Sequence, residues 1–217
     1  MKKGLTELVF ILDKSGSMGG LESDTIGGYN SMLEKQKAIE GECRITTVLF
    51  DHNYEILHDR IDLGAVSPMT DKEYQIGGTT ALLDAIGRTI NKIVKVQKHT
   101  ADDYRAEKVM FVIITDGYEN ASQEFTAKKV KEMINRQKDK YGWEFVFLAA
   151  NIDAVETAGQ FGISPDRAVD YIADSQGTEL NYIVIADAVA QYRTTGIVKE
   201  TFFDAIREDV KKRKQDN

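Results

Sequence analysis

Unbroken apolar runs alternate along this chain with apolar stripes at helical spacing. Leu8-Val9-Phe10-Ile11-Leu12 carries no polar interruption, as a strand covered on both faces requires. Val109-Met110-Phe111-Val112-Ile113-Ile114 and Phe145-Val146-Phe147-Leu148-Ala149 follow the same rule. Arg44 to Phe50 and Tyr54 to Ile61 flank the turn-forming cluster Asp51-His52-Asn53, which predicts an antiparallel hairpin. Ala168 to Ile172 is a weaker sixth strand. Among the helical patterns, Ile26, Tyr29 and Leu33, with Ile39 further on, share a face across Ser23 to Glu40. Leu82, Leu83, Ile86, Ile90, Ile93 and Val94 form a stripe within Ala81 to Gln97. Val130, Met133, Ile134 and Gln137 predict a helix from Thr126 to about Lys140. Asp153 is placed to cap Ala154 to Phe161, and Ile183, Ile185, Ala186, Val189 and Tyr192 lie in a helix after Gly177. Strands alternating with helices imply a doubly wound α/β domain, mostly parallel, with helices on both faces and one antiparallel strand at an edge.

A chain of 217 residues with 42% hydrophobic and 29% charged positions has enough apolar material for one core, with room for a small appendage. Disorder is excluded as the main state by that apolar content. A net charge of -7 argues against non-specific nucleic-acid binding, which needs a basic face to displace counterions. Cys43 is the single cysteine, so no internal disulfide forms. The apolar run Leu8 to Leu12 ends in Asp13 and is too short for a signal sequence or a membrane span, so the expectation is a soluble cytoplasmic protein.

Ligands of doubly wound sheets bind beyond the carboxyl ends of the strands, which directs attention to the residues there. The first strand runs into Asp13-Lys14-Ser15-Gly16-Ser17, which gathers a carboxylate and two hydroxyls in one tight loop. Gly77-Gly78-Thr79-Thr80 precedes the striped helix, and Thr115-Asp116-Gly117 follows the most apolar strand. Hydroxyls with one or two carboxylates suit a hard divalent cation, whereas the absence of nearby Cys or His speaks against zinc.

These three pieces together resemble the von Willebrand factor A (vWA) domain family and its metal-ion-dependent adhesion site (MIDAS), with an Asp-x-Ser-x-Ser loop, a distant Thr and a distant Asp. The likeness runs from about Leu5 to Arg193 in element order. It implies a Rossmann-like vWA fold and assigns Asp13, Ser15, Ser17 and Asp116 to a metal site. For the threonine, the count from Ala85-Ile86 favours Thr80, and a one-residue slip would select Thr79. The resemblance further implies Mg²⁺ or Mn²⁺, with Ca²⁺ as a third candidate, completed by an Asp or Glu carboxylate from a partner protein. It implies a binding protein rather than an enzyme, with no nucleic-acid or membrane partner, and, without a signal peptide, often a bacterial or phage-associated accessory factor.

Two other functions compete. A metal-dependent phosphohydrolase would use Asp13 as nucleophile, yet haloacid-dehalogenase-type phosphatases carry a second Asp two residues on, where this chain has Ser15. A nucleophilic Ser15 or Ser17 would need a histidine base, and His52, His58 and His99 all read as solvated. The second is a structural adaptor subunit of a larger ATPase-type complex, with metal only stiffening the loops. Gly27-Gly28 lacks a following Gly-Lys-Ser/Thr and reads as a close helix contact rather than a phosphate loop. Tyr118, Glu119 and Asn120 are equally compatible with partner selection and with an ordinary polar loop.

The expected division is a vWA domain over residues 1–195 and an amphipathic helix or tail over 196–217. There Val198, Phe202, Ile206 and Val210 recur at four-residue spacing before Lys211-Lys212-Arg213-Lys214, predicting a helix docked on the parent domain.

Overall fold

The computed structural model describes residues 1–215, so the last two residues of the expected tail lie outside the described residues. Six strands form one sheet: β1 (Lys2–Asp13), β2 (Cys43–Phe50), β3 (Tyr54–Asp62), β4 (Ala106–Thr115), β5 (Glu144–Ala149) and β6 (Ala168–Asp170). Among the described residues six α-helices accompany them: α1 (Glu22–Lys37), α2 (Leu82–His99), α3 (Ala127–Tyr141), α4 (Ala154–Gln160), α5 (Ser175–Thr195) and α6 (Asp204–Gln215). The strand order is β3-β2-β1-β4-β5-β6, and only β3 runs antiparallel, on its edge pairing with β2. This is the doubly wound architecture that the alternation of patterns predicts. Among the described residues no helix is long and apolar enough to cross a membrane.

β1 explains why its sequence shows no polar alternation. Leu8, Phe10 and Leu12 enter the core layer that includes residues of α1, α5 and α6, while Val9 and Ile11 enter the layer of α2, α3 and α4. Both faces are therefore buried, and every position except the strand's start must be apolar or fully paired. Glu7 shows the paired case: it is fully buried, and both of its oxygens accept from Arg60 Nε on β3 at 3.1 and 3.0 Å, whereas the Thr6 hydroxyl beside it is buried without a hydrogen-bond partner. Desolvation raises its carboxyl above the ordinary range, against the pull of Arg60.

Helix boundaries follow local chemistry. Asp153 accepts from Glu156 N at 2.8 Å and starts α4, as its position predicts. α1 stops at Lys37, so Ile39 lies beyond the helix and is only partly buried. α5 contains Ile183 as its pattern predicts, but half of that side chain's surface is exposed and the buried side is carried by Val184, Ile185, Ala188 and Val189. β6 extends only to Asp170, two residues short of the expected strand.

His58 requires a correction. It is 4% exposed rather than solvated, and its Nδ1 lies 3.2 Å from both the Tyr29 and Thr47 hydroxyls. The register of β2 with β3 decides this, because Thr47 pairs with His58 and turns both toward the α1 side. Desolvation lowers the imidazole's pKa, so a neutral ring is favoured.

The chain beyond Gly196 is bound to the domain. Phe203 and Ile206 are completely or nearly completely buried in the same core layer as α1 and α5. Arg167 Nη2 donates to Val198 O at 2.6 Å, Arg207 Nη2 to Ala168 O at 3.3 Å, and Arg213 pairs with Asp174 at the start of α5.

The pairing of α1 with α5 depends on Gly28. A Cβ there would stand 2.4 Å from Tyr182 Cδ2, whereas at neighbouring Gly27 it would meet nothing within 4 Å. Gly28→Ala is expected to cost about 1–3 kcal/mol through overpacking, and Gly27→Ala to stabilise the helix by about 0.5–1 kcal/mol. Urea denaturation of both variants checks this; equal shifts of the same sign would contradict the close helix contact.

Candidate functional site

Chain direction in the sheet creates the site. β1 connects to β2 on one side and pairs with β4 on the other, with Leu12 opposite Ile114. Successive crossovers therefore diverge at the β1/β4 boundary, where loops leave a crevice at the strands' carboxyl ends. Asp13 closes β1 and Asp116 immediately follows Thr115 at the end of β4.

The side chains of all five expected residues converge there. Asp13 Oδ1 accepts from Ser15 N at 2.7 Å and Oδ2 from the Thr115 hydroxyl at 2.5 Å. Ser15 Oγ and Ser17 Oγ are 3.1 Å apart, and Ser17 donates to Asp116 Oδ1 at 2.5 Å. Thr80 donates to Ser15 Oγ at 3.0 Å. The choice between the two threonines falls to Thr80, which is buried, while Thr79 is exposed. An open cleft of about 380 Å³ lies over these groups, bordered by Ser17, Thr80, Asp116, Tyr118 and Asn151.

Three loops are tied together by backbone contacts. Gly16 N donates to Gly78 O at 3.2 Å and Gly77 N to Lys14 O at 3.0 Å, joining the first loop to the second. Thr80 O accepts from Asn120 N and Ala121 N, and Asn120 Oδ1 accepts from Thr80 N at 2.9 Å, joining the second to the third. Gly117 permits the third loop's close approach: a Cβ there would stand 2.9 Å from Ser17 Oγ and 3.2 Å from Thr80 Oγ1.

Several further residues organise this region through contacts that the sequence pattern does not show. Thr115 was quoted within its motif, but its grip on Asp13 depends on β1/β4 register. Glu119 Oε2 accepts from Leu83 N at 2.8 Å and so satisfies an orphan donor at the start of α2. Asp84 accepts from the backbone of Gln123, Glu124 and Phe125, each at 2.9 Å, and holds the loop from the other side. An acid in the first turn of α2 was the only signal in the sequence, and it does not reveal the loop that it holds. Glu119 and Asn120 thus have structural work, while Tyr118 stands 67% exposed at the rim.

The electrostatics distinguish a ligand site from a hydroxyl network that is satisfied by itself. Asp13 and Asp116 are each 1% exposed, and Asp116 Oδ2 is buried with no hydrogen-bond donor. Burial raises the Asp116 carboxyl to about 6, with repulsion from Asp13 adding to it. Burial also raises Asp13, against the hydrogen bonds from Ser15 and Thr115. The neighbouring cation does not relieve them, because Lys14 Nζ is bound to Glu55 at 2.7 Å. Two desolvated carboxylates with an unpaired oxygen, surrounded by hydroxyls, are chemically suited to a hard cation. Among the described residues no group of three or more His, Cys, Asp or Glu side chains is arranged for a metal. A cation here would accordingly depend on hydroxyl oxygens as much as on carboxylates.

Residues 7–184 match the family model of the von Willebrand factor type A domain. Among solved structures, a variant of the PilB minor pilin from Streptococcus sanguinis superposes with a TM-score of 0.58 at 11% identity, covering 91% of this chain and 62% of that one. The ArnB paralog VWA2 from Sulfolobus acidocaldarius gives 0.54 at 16% identity, covering 87% and 45%. Proximal thread matrix protein 1 from the mussel byssus, described with a zinc-occupied MIDAS motif, gives 0.56 at 10% identity, covering 85% and 46%. The chain thus spans roughly half to three fifths of the length of these three structures, and at such identities the likeness concerns the fold. No curated protein sequence matches it.

The raised Asp116 pKa sets the sign of a pH effect in chelator. Its folded value of about 6 lies above its unfolded value of 3.8, so the folded protein holds more protons between them and loses stability as pH rises through that window. Asp116→Asn removes the ionising group. The variant's stability relative to wild type is expected to grow from pH 4 to pH 6 and level off above, measured by urea denaturation in EDTA. A difference independent of pH would contradict the buried, unpaired carboxylate.

Proposed function

We propose that this chain, which belongs to the von Willebrand factor type A domain family, binds a partner protein through a divalent cation held at the β1/β4 crevice. Domains of this family commonly bind metal and mediate protein interactions. The observation that carries the reading is the buried Asp116 Oδ2, a carboxylate oxygen without a donor, whose companion Oδ1 ends a chain of hydrogen-bonded hydroxyls from Thr80 through Ser15 and Ser17.

Ser15, Ser17 and Thr80 would offer hydroxyl oxygens, and Asp116 its unpaired carboxylate oxygen. Asp13 accepts from Ser15 N through one oxygen and from Thr115 through the other, which fixes the loop, and each oxygen keeps a lone pair toward the ion or a water on it. A hard cation such as Mg²⁺ or Mn²⁺ bound here supplies Lewis acidity toward an outside carboxylate, since few anionic protein ligands leave it under-neutralised. Tyr118, on the rim, is available to a partner's surface around that carboxylate.

The reading includes no turnover. The Ser15 and Ser17 hydroxyls are hydrogen-bonded to each other, to Thr80 and to Asp116, and none of the hydrogen bonds described links them to a histidine. His58, buried against Tyr29 and Thr47, is engaged elsewhere. A nucleophilic hydroxyl would need a base to activate it.

Titration calorimetry with Mn²⁺ and Mg²⁺ tests the site. Wild type is expected to bind one ion, with at least tenfold weaker binding in Ser17→Ala and Asp116→Ala. Affinity should fall as pH drops below about 6, where Asp116 takes up a proton. Equal affinity in wild type and Asp116→Ala would overturn the assignment, and metal-dependent hydrolysis of p-nitrophenyl phosphate would overturn the non-enzymatic reading.

A further inference from the structure

At the opposite end of the sheet from the metal crevice, the chain builds a second pocket of contrary charge. It occupies about 430 Å³ between the C-terminal turns of α2 and α3 and the start of β4, within the range typical of small-molecule sites. Its apolar wall is made by Val94, Ala106, Tyr141 and Trp143. Trp143 is 7% exposed and stacks on Phe111, with ring centroids 5.6 Å apart, which fixes the indole. Tyr141 is 51% exposed and completes an aromatic lining.

Four cations line this pocket, Lys98, Arg105, Arg136 and Lys140, against one acid, Glu107. Glu107 is engaged, since its Oε2 accepts from Gly4 N at 2.8 Å, and Arg105 pairs with Asp102 at 3.0 Å. Lys98, Arg136 and Lys140 take part in none of the ion pairs described, although the chain as a whole carries a net charge of -7. The ends of α2 and α3 add partial negative charge, which explains a lysine in each last turn. Arg136 stands one turn earlier on the same side as Lys140, outside that last turn, and takes part in no ion pair described even though Glu132 and Asp139 lie four before and three after it on α3. The wall also contains two unsatisfied donors. Gln97, 9% exposed, has no acceptor for Nε2, and Arg105 Nε is likewise buried without one.

We propose that this pocket binds a planar aromatic molecule carrying a phosphate monoester, the chemistry of a mononucleotide. The aromatic body lies against Trp143, with Tyr141 at the rim. The phosphate, with a charge of about -1.5 to -2 at neutral pH, meets Lys98 and Arg136, and Lys140, whose Nζ lies 5.2 Å from the Tyr141 ring centroid and takes part in no ion pair described. Arg136 can present a bidentate fork to it. A ligand that reached the wall would also offer acceptors to Gln97 and Arg105. The site is independent of the metal crevice, which uses the other end of the strands.

Trp143 is the chain's single tryptophan, so its fluorescence reports the pocket directly. Adenosine 5′-monophosphate is titrated in EDTA, which removes any contribution from a metal-bound phosphate, with adenosine and inorganic phosphate as comparators. The expected result is saturable quenching by the monophosphate at least tenfold tighter than either comparator and weakened by added salt. Arg136→Glu/Lys140→Glu is expected to weaken it at least tenfold with an unchanged thermal midpoint, and Lys98→Glu, on a different helix, to weaken it severalfold. Ser17→Ala at the metal crevice should leave the affinity unchanged, which keeps failure of one site distinct from failure of the other. Absence of saturable quenching, equal binding of adenosine, or indifference to both charge reversals would overturn the proposal.

Discussion

Parallel pairing of β1 with β4 is the constraint on which the crevice depends. It places Asp13 at the end of one strand beside Thr115 at the end of the next, and the 2.5 Å hydrogen bond between their side chains spans 102 positions of sequence. Both strands are covered on both faces, so a one-residue slip would turn every side chain of either strand toward the wrong core layer. The hydrophobic layers thereby hold the polar crevice in register. The geometry of Ser15, Ser17, Thr80 and Asp116 is thus maintained by Leu8, Phe10 and Leu12 on one side of β1 and Val9 and Ile11 on the other.

That register forces two carboxylates into a region with little water and no available cationic side chain. Such an arrangement costs stability, since desolvated acids destabilise the ionised protein. Glu7 shows the structural alternative within the same strand: it is equally buried, and Arg60 is supplied to it from β3. Asp116 receives only Ser17 on one oxygen and nothing on the other. Of these two buried acids, Glu7 has an internal cation as partner and Asp116 has none among the described residues.

Charge is also distributed along the sheet. Acidic groups concentrate where the strands end, and a basic, aromatic-walled pocket lies where β4 begins. The three loops at the crevice are joined through Thr80, Asn120, Glu119 and Asp84, so a displacement at the rim must move the start of α2 with it. α6 and the turn before it contact the other layer, through Ile206 and Phe203, and α6 is bound to the start of α5 through Arg213 and Asp174.

The order of elements, the hairpin and the crevice residues were legible in the chain itself, because apolar periodicity and short turn motifs are local properties. Unbroken runs such as Leu8 to Leu12 demand burial on both faces wherever they occur, and Asp-x-Ser-x-Ser carries its chemistry in five consecutive residues. Other features depended on who lies opposite whom. His58 reads as a polar strand residue until the pairing with Thr47 turns it inward, Thr80 displaces Thr79 only once burial is known, and Asp84 reveals its three backbone partners only when the loop after β4 folds over α2. The same holds for the basic pocket, whose cations come from separate segments and are scattered in sequence. Local patterning specifies what each segment can become, whereas long-range register and charge juxtaposition arise from contacts between segments, and those exist only in the folded chain.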